Sequence, residues 1–380
     1  MRTVPLGEIV QIEFGYPFKS TGFNAQRQGL PVVRIRDVNR GSSDTYFSGD
    51  FDARYLVNDG DYLIGMDGEF NLGRWHGGDA LLNQRVARLG AFSADTDGAY
   101  VARYLPLALK EIEDRTPYVT VKHLSARTLR AIEVPLPPLD EQRRIAAVLD
   151  HADSLRTTRQ KVLARFDDLQ SATFIDMFGP PSTWPRRWNM GTIGDMADDV
   201  QYGTSAKAGE DGSLPIIRMG NVTDTGRLDL SDLKWIDIPQ CDLPKFTVRR
   251  GDLLFNRTNS RERVGKTCVV DTDADFVFAG YLIRVRLKPE HRPEFVNAYM
   301  TSRFGRALRY GMAKAAVNQA NINASEMRSI SIALPPKDVQ QRFAKVVEQI
   351  DSERHKHQRV LLAADELFPS LQSRAFSGRL

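Results

Sequence analysis

Cysteine is nearly absent: 380 residues contain two, Cys241 and Cys268. That excludes a disulfide framework and an all-cysteine zinc site, and it suits a reducing, cytoplasmic setting. Histidine is scarce too, with six. His355 and His357 lie two apart in a helical stretch, where side chains diverge and cannot share a metal. His151 and Asp153 fail for the same reason, while His76 and His123 stand alone and read as structural or surface groups. No apolar run approaches the ~18–20 residues of a membrane span, and the opening MRTVPLGEIV lacks a signal-peptide stretch. Catalytic signatures are missing as well: there is no G-x-G-x-x-G, H-E-x-x-H or G-x-S-x-G. Val264-Gly265-Lys266-Thr267 resembles the end of a phosphate-binding loop, but Ser260 stands where that motif needs glycine. The Pro-Pro pairs at 137–138 and 335–336 are preceded by leucine, not by the Asn or Asp of amino-methyltransferases. These absences predict a chain with no catalytic residues, no metal site, no cofactor of its own and no membrane segment.

What is present is an ordinary globular composition, 42% hydrophobic and 26% charged, long enough for about two domains. The net charge of +4 and pI near 9.0 point weakly to an anionic partner. Divided, the charge is uneven. Residues 1–140 carry 16 basic and 18 acidic side chains, whereas residues 179–336 carry 22 and 18.

The chain repeats itself. Leu30-Pro31-Val32-Val33-Arg34-Ile35 returns as Leu214-Pro215-Ile216-Ile217-Arg218-Met219, Gly60-Asp61 as Gly251-Asp252, and Leu136-Pro137-Pro138 as Leu334-Pro335-Pro336. Gln142 and Arg144 then match Gln340 and Arg342. The spacing between copies grows steadily along the chain, as expected for one unit of about 190 residues used twice with small insertions in the second copy. Each copy begins with short β-rich runs broken by Gly, Asn and Asp turns and ends, after its Pro-Pro pair, in a long helical pattern whose start suits proline and a first-turn acid.

Both helical stretches carry apolar residues at alternating three- and four-residue steps: Ile145, Val148, Ala152, Leu155, Val162, Phe166 and Leu169 in the first, Phe343, Val346, Ile350, Val360, Ala364, Leu367 and Leu371 in the second. Polar residues fill the central slots, Arg159 in one and Glu353 with His357 in the other. Two matched heptad seams predict that the helices pair with each other; packing of each helix on its own globule is the plain alternative. The fold class expected is therefore α+β: two pseudo-symmetric mixed α/β domains, residues 1–140 and 179–336, separated by an antiparallel pair of coiled-coil helices, residues 141–178 and 337–380.

A spacer holding two similar but unequal domains suits an elongated, two-part ligand such as DNA. In the second copy Asn256, Arg257, Asn259, Arg261, Arg263 and Lys266 cluster after the shared Gly-Asp, and Arg and Asn are the side chains that pair with guanine and adenine edges. The matching stretch of the first copy offers Asn71 and Arg74 within acidic, Gly-rich surroundings. Arg34, Arg36, Asn39 and Arg40, answered by Arg218 and Asn221, follow the strand-like Leu-Pro run; Asn83 with Arg85, and Lys314 with Asn318, are further candidates. A solvated basic loop is the plain alternative for each.

VPLPPLDEQRRIAAVLDHADSL and IALPPKDVQQRFAKVVEQID resemble the two central helical regions of type I restriction–modification specificity subunits, and FIDMFGPPSTWPRRW and LQSRAFSGRL resemble that family's inter-domain junction and C-terminal ending. Val339, where the first copy has Glu141, departs from the pattern. The resemblance spans essentially the whole chain. It implies a non-catalytic subunit for phage defence that reads a bipartite, asymmetric site on double-stranded DNA with two target-recognition domains. It also implies partners: two copies of a modification subunit that use S-adenosylmethionine, and a restriction subunit that uses ATP and Mg. A coiled-coil adaptor without DNA readout, and the recognition subunit of a related modification-only or phage-defence system, are the rival readings.

Overall fold

A computed structural model describes residues 2–116, 122–315 and 319–380. The chain divides into two units, Met1–Thr158 with Leu361–Leu380, and Arg159–Val360. Each long helix, Leu139–Phe178 and Lys337–Phe376, contributes to both units.

In the first unit an antiparallel sheet runs, in spatial order, Val10–Phe14, Val86–Phe92, Tyr62–Gly65 and Leu72–Arg74. A second sheet of five short strands holds Leu30–Val33 beside Ala80–Leu82, its one parallel pair. The second unit repeats both. Ala197–Tyr202, Leu282–Leu287, Leu253–Asn256 and Thr267–Val269 take the same order, and Leu214–Ile217 lies parallel to Phe276–Phe278. Thr3–Pro5 with Glu133–Pro135, and Met190–Thr192 with Ser331–Ala333, close the corresponding ends.

The repeated motifs mark backbone turns that demand particular residues. Gly60 and Gly251 have φ of 94° and 87°, a region that favours glycine. The following aspartates fasten the turn, with Asp61 Oδ2 accepting Asn58 N–H at 2.8 Å and Asp252 Oδ2 accepting Arg249 N–H at 3.0 Å. The glutamine after each Pro-Pro pair is fully buried. Gln142 Nε2 donates to Pro137 O at 2.8 Å, and its Oε1 accepts Asp97 N–H, the N-cap of helix Gly98–Arg115. Gln340 Nε2 donates to Pro335 O at 2.7 Å and its Oε1 accepts Arg292 N–H, the N-cap of Pro293–Thr301. One amide thus joins the start of each long helix to the start of a domain helix.

Within each unit the two long helices run antiparallel. In the first, Arg144 reaches Leu380 O, while Arg156 pairs with Asp365 and stacks on Phe368. Phe376 packs on Tyr100 and Tyr104, and Ile145, Ala146, Leu149 and Ala375 enter the core. In the second unit Phe174, Phe178 and Phe343 join Trp184 and Phe295 in an aromatic core. The polar slots meet: Arg159 Nη1 lies 2.8 Å from His357 Nδ1, with Phe166 edge-on to the imidazole.

Four of the seam positions expected from the heptad are corrected. Leu155, Leu169, Val360 and Leu367 are 52%, 50%, 50% and 67% exposed. Half-buried Arg156, buried Gln170 and half-buried Phe368, each one position along, sit closer to the packed face. An unsupercoiled helix drifts about 20° per heptad from a 3.5-residue repeat, so the residue facing the partner shifts by one after a few turns. Among the described residues, no helix is long and apolar enough to cross a membrane.

Candidate nucleic-acid interface

In the second unit the strand ends surround a cleft of about 1080 Å³. The loop after Ala197–Tyr202 supplies Thr204 to Ala208. The turn after Leu214–Ile217 supplies Arg218 to Asn221, and Ala279 to Tyr281 follow strand Phe276–Phe278. Arg257 to Asn259 follow the strand Leu253–Asn256, and Thr258–Asn259 pair with Ala320–Asn321. Five cations line the cleft, Lys207, Arg218, Arg257, Arg263 and Lys266, against the carboxylates of Asp229 and Asp232.

The cations are held in different ways. Arg257 lies 4.9 Å from the Tyr202 ring, and its Nε is buried without a partner. Arg218 Nη2 donates to Asp232 Oδ2 at 3.0 Å. Lys266 is buried, and that burial pushes its ammonium below the usual lysine range against the pull of Asp224, 3.6 Å away. Beneath the basic loop, buried Arg309 donates to Val264 O at 3.0 Å and is pushed down to about 10 by burial and by Arg306. Tyr281, 52% exposed, adds a flat, amphipathic surface at the cleft.

Six of the residues singled out from the sequence therefore share this one cleft: Arg218, Asn221, Arg257, Asn259, Arg263 and Lys266. Two of the second unit's candidates serve the framework. Asn221 is buried, with Oδ1 accepting Arg218 N–H and Nδ2 donating to Asp229 O and Asp232 O. Asn256, the last residue of strand Leu253–Asn256, is fully buried, with Nδ2 toward Met219 O, and does not line the cleft. Arg261 is exposed outside the lining, stacked 4.3 Å from Tyr310. Lys314 falls in a two-residue strand beside Ala320–Asn321, and Asn318 lies outside the described residues.

The first unit disperses its candidates. Arg34 is half-buried against Phe23, and its N–H reaches Asp37 Oδ2 at 3.0 Å. Asn221 is therefore the counterpart of buried Asp37, not of Asn39. Arg36 and Asn39 are exposed, and Arg40 pairs with Asp44. Arg74 donates from Nε to Gly60 O at 3.2 Å, which ties it to the turn. Asn71 has a buried, unpartnered Oδ1. Asn83 bridges the Tyr16 backbone, and Arg85 pairs with Asp67 at 3.1 Å. Sequence reasoning took His123 for an isolated structural or surface group, whereas its Nδ1 pairs with the same aspartate, and it passed over Lys207, Tyr281 and Asn321 in the second unit's cleft. The usable signal was the repeat itself, because His123 aligns with Asn321 when the Pro-Pro pairs are superposed. Among the described residues, no group of three His, Cys, Asp or Glu is placed to hold a metal ion.

A sequence model of the type I restriction modification DNA specificity domain matches residues 1–165 and again residues 185–362. The chain is 29% identical over 417 aligned positions to the type I restriction enzyme EcoBI specificity subunit of Escherichia coli, covering 99% of this chain and 85% of the relative. It is 25% identical over 306 positions to the EcoKI specificity subunit of Escherichia coli K12, covering 74% and 65%. Its fold is similar to the crystal structure of a type I restriction-modification system S subunit from M. genitalium, with a TM-score of 0.60 at 12% identity over 99% of this chain and 96% of the other.

Proposed function

The chain belongs to the type I restriction modification DNA specificity family, and we propose that its two units read the two halves of a bipartite, asymmetric site on double-stranded DNA. A specificity subunit recognises DNA and is non-catalytic; catalysis sits in other subunits of the system. In this reading residues 1–140 and 179–336 are the target-recognition domains, and the helices at 141–178 and 337–380 set the unread spacer. Lys and Arg contacts to phosphate fix register, while a few side chains read base edges.

The observation that supports this reading best is the second unit's cleft. It brings five Arg and Lys side chains with Asn259 and Asn321 to the ends of several strands, a donor-rich set suited to guanine and adenine edges in the major groove. Two modification subunits would supply S-adenosylmethionine and methylate an adenine flipped out of the stack. A restriction subunit would supply ATP- and Mg-dependent translocation and cleavage in the cytoplasm.

The test is co-expression with the neighbouring modification subunit, followed by single-molecule methylome sequencing. A bipartite methylated motif is expected, one half of which changes when residues 1–140 are exchanged for those of a relative. If both halves change together, the two-module reading fails. Absence of any motif in well-expressed complex favours an adaptor without DNA readout. A motif without ATP-dependent cleavage places the chain in a modification-only system.

A further inference from the structure

The second unit's cleft has a counterpart in the first that is built on the same backbone frame. Three hydrogen bonds fix the correspondence. Gly65 N–H donates to Asn71 O at 2.9 Å as Asn256 N–H does to Lys266 O at 2.8 Å. Met66 N–H reaches Arg85 O at 3.0 Å as Arg257 N–H reaches Tyr281 O at 2.9 Å. Leu124 N–H reaches Met66 O at 2.7 Å as Ile322 N–H reaches Arg257 O at 2.9 Å. The bridges Asp67–His123 and Thr258–Asn321 then correspond as well. The positions that present Tyr281, Thr258 and Asn321 to the cleft are thus held in the first unit by Arg85, Asp67 and His123.

Those three side chains form one cluster. Asp67, with a side chain only 20% exposed, pairs through Oδ2 with Arg85 Nε at 3.1 Å and through Oδ1 with His123 Nδ1. Arg85 and His123 each remain 50% exposed. The chemistry of each outer edge follows. A carboxylate only accepts hydrogen bonds, so the imidazole nitrogen facing it carries the proton, and in the neutral ring Nε2 is left as an acceptor. Arginine anchored through Nε still has its two terminal amino groups, the pair that matches O6 and N7 of guanine.

We propose that Arg85 and His123, both oriented by Asp67, are specificity-determining residues of the first unit: Arg85 donates to a guanine edge, and His123 Nε2 accepts from the exocyclic amine of an adenine or cytosine. Asp67 is the positioning residue. This rests on the reading of both units as DNA-recognition domains. It gives the first unit a reading element centred on an acid, where the second presents a basic cleft.

The experiment compares full-length chain with Arg85→Lys, His123→Gln and Asp67→Asn, each co-expressed with the modification subunit and read by methylome sequencing. Domain exchange in parallel assigns each half-site to its unit. Arg85→Lys should relax one guanine position, and His123→Gln one adenine or cytosine position, each by roughly tenfold in discrimination. Asp67→Asn should relax both. The half-site assigned to the second unit should keep its stringency, and all three melting temperatures should match wild type. An unchanged motif in both Arg85→Lys and His123→Gln, or relaxation confined to the second unit's half-site, overturns the proposal. A variant that lowers the melting temperature with no change of motif shows a purely structural cluster and also overturns it. A wild-type complex with no bipartite motif overturns instead the reading of the units on which the proposal stands.

Discussion

At equivalent backbone positions the second unit carries Arg257 and Lys266 where the first carries Met66 and Asn71, yet the hydrogen bonds that hold those positions differ by about 0.2 Å at most. Each frame is closed by backbone bonds, a Gly-Asp turn and a buried glutamine, none of which depends on the side chains at the strand ends. The framework therefore tolerates opposite chemistry at its surface: five cations line one cleft, and an aspartate ties an arginine to a histidine in the other unit. Surface divergence on a retained frame is what the proposed reading of two unlike half-sites requires.

The attachment of each unit to the long helices offers the strongest test of this contrast. In the second unit Arg227, 15% exposed, pairs with Asp167 and Asp351 and donates to Gln170, bridging both helices. In the first, Arg103 is 28% exposed and pairs with Asp150 and Asp153, both on the first helix. Arg227→Met takes the ion-pair partner from Asp351 and leaves Asp167 only Arg354, 4.0 Å away, and should cost about 3 kcal/mol in a denaturant titration. Arg103→Met should cost about 1 kcal/mol, because its carboxylates are better solvated. Equal losses would show that the two attachments are equivalent after all.

Gln142→Ala and Gln340→Ala probe the shared feature. Each removes the acceptor of an N-cap N–H and a donor to a proline carbonyl, so each should cost about 2 kcal/mol, with the two variants agreeing closely. The reading surfaces come next. Arg257→Ala should weaken binding of cognate duplex by the partner-bound chain about tenfold in a fluorescence titration, whereas Arg263→Ala should chiefly lower the salt dependence of binding, by about one phosphate contact. Met66, at the Arg257 position of the first unit, is buried in the core, so Met66→Ala should cost about 2 kcal/mol of stability and leave affinity of the folded chain unchanged.

The smallest expected effect separates the two glutamines by pH. Gln340 Nε2 faces His291 Nδ1 at 3.4 Å, whereas Gln142 Nε2 faces Asp95 O, which does not titrate. Burial holds His291 below its ordinary value of 6.5. The unfolded chain then takes up the proton first, so stability is complete above pH 6.5 and declines as pH falls through it. Melting scans between pH 7.5 and about 5 should show that decline, and His291→Gln should flatten it.

Much of the fold was legible because the repeated motifs are chemical necessities. Gly60 and Gly251 occupy a left-handed backbone region, and Gln142 and Gln340 are the buried ends of a helix-to-helix link. The heptad seams were legible only in part, since Leu155 and Leu367 drift outward as the helical period departs from 3.5. At the candidate interface, residue type alone did not separate Asn259, in the cleft wall, from Asn256, which is buried behind it. His123 read as standing alone because its partner Asp67 lies 56 residues away in sequence, a pairing made by the sheet and not by local spacing.

The contact between Arg159 and His357 carries a consequence for how the helix pair can change its length. Two polar slots that meet act as an index mark: sliding either helix by a fraction of its repeat would part the imidazole of His357 from both the guanidinium and the Phe166 ring it now faces. Lengthening both helices by whole heptads on one side of that mark keeps the pair in step, while insertions of one or two residues break it. Changes of length that keep this pair in step therefore come in whole heptads, about 10 Å of helix each, instead of by gradual drift.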